Sequence, residues 1–157
     1  MDTAAVLEAL GVYGGSFVVA LLSGVLPLVN IELFLIGLVA LAPDSYSLVP
    51  LVAVTTAGQM TAKVAMYWAG RGVLDLPLGK YRKSIDKWQH RFNHSEPRLS
   101  LFIFTSAATG LPPFFVISIL AGTFKMPFWR FLLVGYLGRA LRFALCAAFP
   151  ALVMDLF

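Results

Sequence analysis

Apolar positions along this chain are grouped into four long runs, and the breaks within the runs are as informative as the runs themselves. The first extends from about Gly15 to Ala42 and is interrupted by Pro27, Asn30 and Glu32. The second covers about Tyr46 to Ala69, with Pro50 near its start and Lys63 inside it. The third, about Leu99 to Gly122, has no charge, but Gly110, Pro112 and Pro113 break its middle. The fourth, about Phe131 to Met154, contains Arg139 and Arg142. A helix needs roughly 20 apolar residues to cross a bilayer, so the second and fourth runs each predict one spanning helix. In the first and third, a proline that removes a backbone donor stands near the centre. Irregular backbone at membrane depth survives only where protein or a watery cavity satisfies it. The favoured reading is a pair of re-entrant hairpins, turning at Pro27 with Asn30 and at Gly110 with Pro112-Pro113; kinked spanning helices are the alternative.

The two halves echo each other. Gly24-Val-Leu-Pro27 is followed by Gly37 and Pro43, and Gly110-Leu-Pro112 by Gly122 and Pro127. A long helix with a glycine and a basic residue then follows in each half, Gly58 with Lys63 and Gly138 with Arg142. Paired breaks at corresponding positions point to a transporter built from repeats. The expected fold is an all-α integral membrane protein with two re-entrant hairpins plus transmembrane helices. Its repeats are read as inverted, although topology rather than spacing decides the inversion. One membrane domain, 1–157, divides into a first half 1–73, a linker 74–98 and a second half 99–157.

Composition agrees with a membrane location. Hydrophobic residues make up 59% of the 157 and charged ones 13%, where a soluble domain is about a quarter charged. Mean hydropathy is +0.84. A soluble enzyme, a disordered tail and a disulfide scaffold are thereby excluded. The net charge of +4 is concentrated in the linker, which holds Lys80, Arg82, Lys83, Lys87, Arg91 and Arg98. The positive-inside rule makes that loop cytoplasmic and removes the case for nucleic acid as a partner. Tyr81, Ile85, Trp88 and Phe92 recur there at helical spacing, which suits either a helix in the headgroup layer or a solvated linker helix. Asp2 and Glu8, without a basic segment, predict no cleaved signal peptide. Cys146 has no partner for an intramolecular disulfide.

Charges inside apolar runs carry the candidate chemistry. Each costs on the order of 3 kcal/mol at the bilayer centre, so Glu32, Lys63, Arg139 and Arg142 should face one another or a wet cavity. Three cations against one anion leave an excess of +2, which suits an anionic guest such as a lipid phosphate. Burial and neighbouring cations pull a carboxyl's proton affinity in opposite directions, so Glu32 is the proton-coupling candidate; the plainer role is a static pair with Arg139 or Arg142. Arg139 and Arg142, at i and i+3, share a helix face and with Lys63 form the candidate headgroup site. Arg71 reads as an interfacial anchor. His90 and His94 lack the further ligands of a zinc site, so no metal or other cofactor is expected. With no catalytic motif visible, an enzyme is not expected either.

These segments resemble the DedA family, also called the VTT or SNARE-associated Golgi protein domain, and most closely its short YqaA-like members. Leu26-Pro27-Leu-Val-Asn30-Ile-Glu32 is similar to the family's first hairpin, and Gly58 to Lys63 with Tyr67-Trp-Ala-Gly70-Arg71 to its glycine-rich helix. Pro112 to Gly122 with Lys125-Met-Pro127-Phe128 is similar to the second hairpin, and Leu137-Gly138-Arg139-Ala-Leu-Arg142 to the closing helix. The resemblance implies a polar centre and movement of an anionic lipid, a phospholipid or undecaprenyl phosphate, between leaflets, coupled in some members to protons. It also implies a bacterial inner membrane. The second hairpin, Thr109 to Phe114, departs from larger members in lacking arginines around its proline. A scaffold or assembly factor and a carrier of small anions are the competing functions, and a homo-oligomer is compatible with the sequence.

Overall fold

In the computed structural model the backbone is described for residues 3–26, 28–41, 46–73 and 96–154, and side chains for 11–26, 28–41, 46–72 and 97–150. All regular structure there is helical: α1 Thr3–Val25, α2 Ile31–Leu41, α3 Leu48–Val73, α4 Glu96–Thr109, α5 Phe114–Thr123 and α6 Phe128–Met154. The first run therefore breaks where expected, between Val25 and Ile31, although Pro27 itself lies outside the described residues. The third breaks between Thr109 and Phe114, around Gly110 at φ 79°. There a left-handed backbone uses the freedom that glycine alone has cheaply.

One of the limits differs from the sequence reading. The linker assigned to 74–98 ends sooner, because α4 starts at Glu96; Pro97 suits the first turn, where its missing N–H has no partner to lose. The other linker residues, with His90 and His94, lie outside the described ones. Arg71 is in the last turn of α3.

Lengths separate the helices into two kinds. At 1.5 Å per residue, α3 and α6 are about 40 Å long, while α2 and α5 are only about 15 to 17 Å, half of a bilayer's hydrocarbon core. The spans Leu48–Gly72 and Phe128–Pro150 are long and apolar enough to cross a membrane. On α6 the side chains of Trp129, Leu133, Leu137, Leu141, Leu145 and Phe149 are all exposed. Steps of four residues each overshoot a full turn by about 40°, so this stripe winds around the helix. A continuous apolar stripe needs a non-aqueous neighbour, and lipid provides one.

The chain forms two compact units, Met1–Ala62 with Arg139–Phe157, and Lys63–Gly138. These are not the sequence halves: α3 and α6 each give one end to either unit. In the first unit Ala20 of α1, Ile31 and Leu35 of α2, Leu51 of α3, and Phe143 and Ala147 of α6 form the core. In the second, Tyr67 of α3 stacks on Phe131 of α6 with centroids 4.9 Å apart, and Phe114 of α5 stacks on the same ring at 6.2 Å.

Each unit contains the same close approach. Gly58 of α3 packs on the Phe17 carbonyl of α1, and a Cβ there would meet the Ala20 Cβ at 3.1 Å. Gly138 of α6 packs on α4, where a Cβ would meet the Phe104 carbonyl at 2.9 Å and the Ala107 Cβ at 2.7 Å. Glycine, a phenylalanine carbonyl and the alanine three residues later recur as a set. Small residues of this kind let helices meet closely in lipid, where no hydrophobic force drives association.

Candidate functional site

The site is built around the start of α2. Asn30 caps this helix, its Oδ1 accepting from the backbone N–H of Glu32 at 3.0 Å and of Leu33 at 3.2 Å. Asparagine is a preferred N-cap, and an acid in the first turn, here Glu32, is favoured by the helix dipole. Asn30, expected as a hairpin tip, thus fixes where α2 begins and with it the position of Glu32.

Across the first unit, Arg142 of α6 donates through Nε to Glu32 Oε1 at 2.5 Å. Neither side chain is sealed away, with Arg142 22% and Glu32 28% exposed. Arg139 lies one turn earlier on α6 and is only 7% exposed. Glu32, Arg139 and Arg142 are thus gathered in one unit, two guanidinium groups to one carboxylate, with a net charge of +1. Guanidinium forks suit bidentate recognition of phosphate or carboxylate. Lys63 belongs to the second unit; it is 5% exposed and its Nζ lies 3.9 Å from Met66 Sδ.

At the turn between α4 and α5, hydroxyl groups hold the backbone. Ser106 Oγ donates to the Pro112 carbonyl at 2.6 Å, and Thr109 Oγ1 donates to the Thr105 carbonyl at 2.7 Å and accepts from the Leu111 N–H at 3.2 Å. Pro113 precedes the first residue of α5. Arg71, expected as an anchor, donates to the Tyr67 hydroxyl at 2.6 Å, with its guanidinium 5.5 Å from the Trp68 ring centroid. Tyr67, fully buried, donates in turn to the Met126 carbonyl at 2.5 Å. In the sequence Tyr67 stands out only as part of Tyr67-Trp-Ala-Gly70-Arg71; its phenol among apolar neighbours was the available signal, since a buried Tyr hydroxyl usually has a partner.

A polar seam between α1 and α3 was not among the sequence expectations. Ser16, Thr55 and Gln59 are buried, and their Oγ, Oγ1 and Oε1 atoms have no hydrogen-bond partner among the described residues. Ser23 Oγ donates to the Ala20 carbonyl at 2.8 Å, so it accepts from Gln59 Nε2 at 3.2 Å, which fixes the amide's orientation. The spacing of Thr55 and Gln59, i and i+4 on one face, was the clue in the sequence.

Among the described residues no three His, Cys, Asp or Glu side chains group as metal ligands. No curated protein and no solved structure matches the chain. A family model does: the VTT domain matches residues 26–151, a range that takes in Glu32, the capped start of α2, Gly58 and Gly138 of the long helices, and Arg142. Apolar spans interrupted by half-length helices, with charges set inside them, thus accompany a family match over most of the sequence, and the chain belongs to the VTT domain family, the DedA family of membrane proteins.

Proposed function

We propose that this protein moves a lipid with an anionic headgroup between the leaflets of a bacterial inner membrane. It acts as a flippase or scramblase rather than an enzyme, with segment 74–98 on the cytoplasmic side. The observation that carries this reading is the cluster of Arg139 and Arg142 around Glu32 inside an apolar helical unit. An anion can visit the two guanidinium forks and be held bidentately there. A phosphate headgroup does so while its tails stay in the bilayer. The half-bilayer lengths of α2 and α5 and the recurring glycine contact support re-entrant hairpins arranged as an inverted repeat. Glu32, released from Arg142 when phosphate takes its place, becomes the group that can exchange a proton.

Leaflet exchange of fluorescent phosphatidylglycerol and of a polyprenyl phosphate, in liposomes with and without a pH gradient, tests this. Exchange by the wild type, its loss in Glu32→Gln and Arg139→Ala, and melting temperatures within a few degrees of wild type are the expected results. Wild-type exchange in both variants removes the site assignment. The ion pair also favours a second reading, a static brace in a scaffold or assembly factor. Under that reading the charge-swapped pair Glu32→Arg with Arg142→Glu restores function, whereas a transport site does not survive the swap.

A further inference from the structure

Outside the charged cluster, the second unit contains an apolar groove of about 410 Å³ between the two arms of its hairpin. Leu99, Phe102 and Ile103 line it from α4, and Val116, Leu120 and Phe124 from α5 and its end. It runs from the open end of the hairpin, where Leu99 and Phe124 meet it, to the turn at Pro112. α5, which forms one wall, is about 15 Å long, the depth of hydrocarbon in one leaflet. The volume is within the usual range for a small-molecule site.

Two cations adjoin the lining residues of the open end in the sequence. Arg98 precedes Leu99 and Lys125 follows Phe124, and both are exposed. Neither stands where the backbone would favour it. Arg98 is in the first turn of α4, where the helix dipole disfavours a cation. Lys125 has φ 55° in a turn closed by its own N–H to the Gly122 carbonyl at 2.9 Å and the Met126 N–H to the Ala121 carbonyl at 3.1 Å. That is a Schellman closure, whose left-handed position normally belongs to glycine. A strained residue at the rim of a groove points to a use for its side chain.

We propose that this groove seats one acyl chain of an anionic glycerophospholipid, with the lipid phosphate held by Arg98 and Lys125. The amphiphilic form of the site, a leaflet-deep apolar slot ending in two cations, matches one lipid molecule. The inference deepens the transport reading and rests on it for the lipid being cargo.

Full-length protein in detergent is titrated with phosphatidylglycerol and, separately, with phosphatidylethanolamine of the same chains, and bound lipid is read by native mass spectrometry. At least tenfold more phosphatidylglycerol than phosphatidylethanolamine should be retained. Lys125→Gly combined with Arg98→Gln should abolish that preference with the melting temperature held or raised, since glycine relieves the left-handed turn. Leu120→Trp, which fills the groove at a partly exposed position, should lose both lipids, and Val116→Trp should repeat that loss if Leu120→Trp folds poorly. Equal retention of the two lipids by the wild type overturns the proposal, as does undiminished binding in a folded groove-filled variant. Chain dimers dissociated by Leu120→Trp would assign the groove to a second copy instead. Leaflet exchange measured on the same variants separates the two readings. Retention without exchange keeps the groove and ends the transport reading, and exchange untouched by filling the groove keeps transport and ends this one.

Discussion

In both units a short helix is held against a long helix, but by opposite means. In the second unit α5 lies directly on α3: Gly122 packs on the Tyr67 carbonyl and Gly70 on the Ile119 carbonyl, each within the distance a Cβ would occupy. In the first unit α2 meets α6 through the same kind of apolar core but adds the Glu32–Arg142 pair. Packing of a glycine on a backbone carbonyl involves no desolvated charge, and it cannot loosen without losing its dispersion energy. An ion pair in an apolar setting can exchange one partner for another anion at modest net cost, because desolvation offsets much of its attraction. One scaffold therefore contains an arm closed by contact and an arm closed by charge, and the second kind is the one that can respond to a ligand.

The hardest test of that contrast is Gly122→Ala. The new Cβ would enter the Tyr67 carbonyl, a backbone atom that cannot swing aside. Overpacking usually costs 1 to 3 kcal/mol, and against backbone we expect about 3 kcal/mol or more, seen as a collapse of the melting temperature in detergent. Gly138→Ala, which meets the Ala107 Cβ at 2.7 Å and the nearest backbone atom, the Phe104 carbonyl, only at 2.9 Å, should cost less. Equal losses in the two would mean that α5 is no more tightly closed than the first arm of its hairpin.

Tyr67→Phe comes next. It removes the hydroxyl that links Arg71 to the Met126 carbonyl and leaves that carbonyl without this donor beside a buried side chain. An unmade buried hydrogen bond costs about 1 to 3 kcal/mol, so the midpoint of chemical or thermal unfolding should fall by a corresponding amount. A variant as stable as the wild type would show that aromatic stacking on Phe131 alone holds this part of the second unit.

Arg142→Ala should cost less in stability than either, about 1 to 2 kcal/mol. Its pair is partly exposed and so lies between surface pairs, worth about 0 to 1 kcal/mol, and sealed ones, whose disruption costs about 3 to 5 kcal/mol. Lipid exchange should nevertheless vanish. Stability and function are expected to part company here, whereas at Gly122 they should fall together.

The ion pair was legible in the sequence as far as its members, because an acid and two arginines inside apolar runs have few other places to go. Which arginine Glu32 meets was not legible, since Arg139 and Arg142 share a face and only the crossing of α2 with α6 selects Arg142. The helix breaks at Val25–Ile31 and Thr109–Phe114 followed from proline and glycine chemistry alone, and the echo of Gly58 with Gly138 proved to be a shared packing contact. The exchange of helix ends between units was hidden, because periodicity describes a helix without naming its neighbours. Tyr67, Thr55 and Gln59 were hidden for the same reason: hydroxyl and amide groups matter through the partners that burial gives them.

The finest test lies in adjacent residues of α3. Thr56 Oγ1 donates to the Val52 carbonyl at 2.6 Å, the usual resort of a hydroxyl inside a helix, whereas the Thr55 hydroxyl, equally buried, has no partner among the described residues. Valine keeps the branched shape and the side-chain rotamer preference of threonine, so each substitution removes little but the hydroxyl. Thr56→Val gives up a hydrogen bond and should cost about 0.5 to 1 kcal/mol. Thr55→Val removes a polar atom whose desolvation is not repaid, and should be neutral or stabilising by about 0.5 kcal/mol. Because the two positions share helix, depth and chemistry, a difference in melting temperature between them isolates the partner. Equal losses at both would show that a bound water satisfies Thr55, and would make the α1–α3 seam a hydrated layer in the first unit.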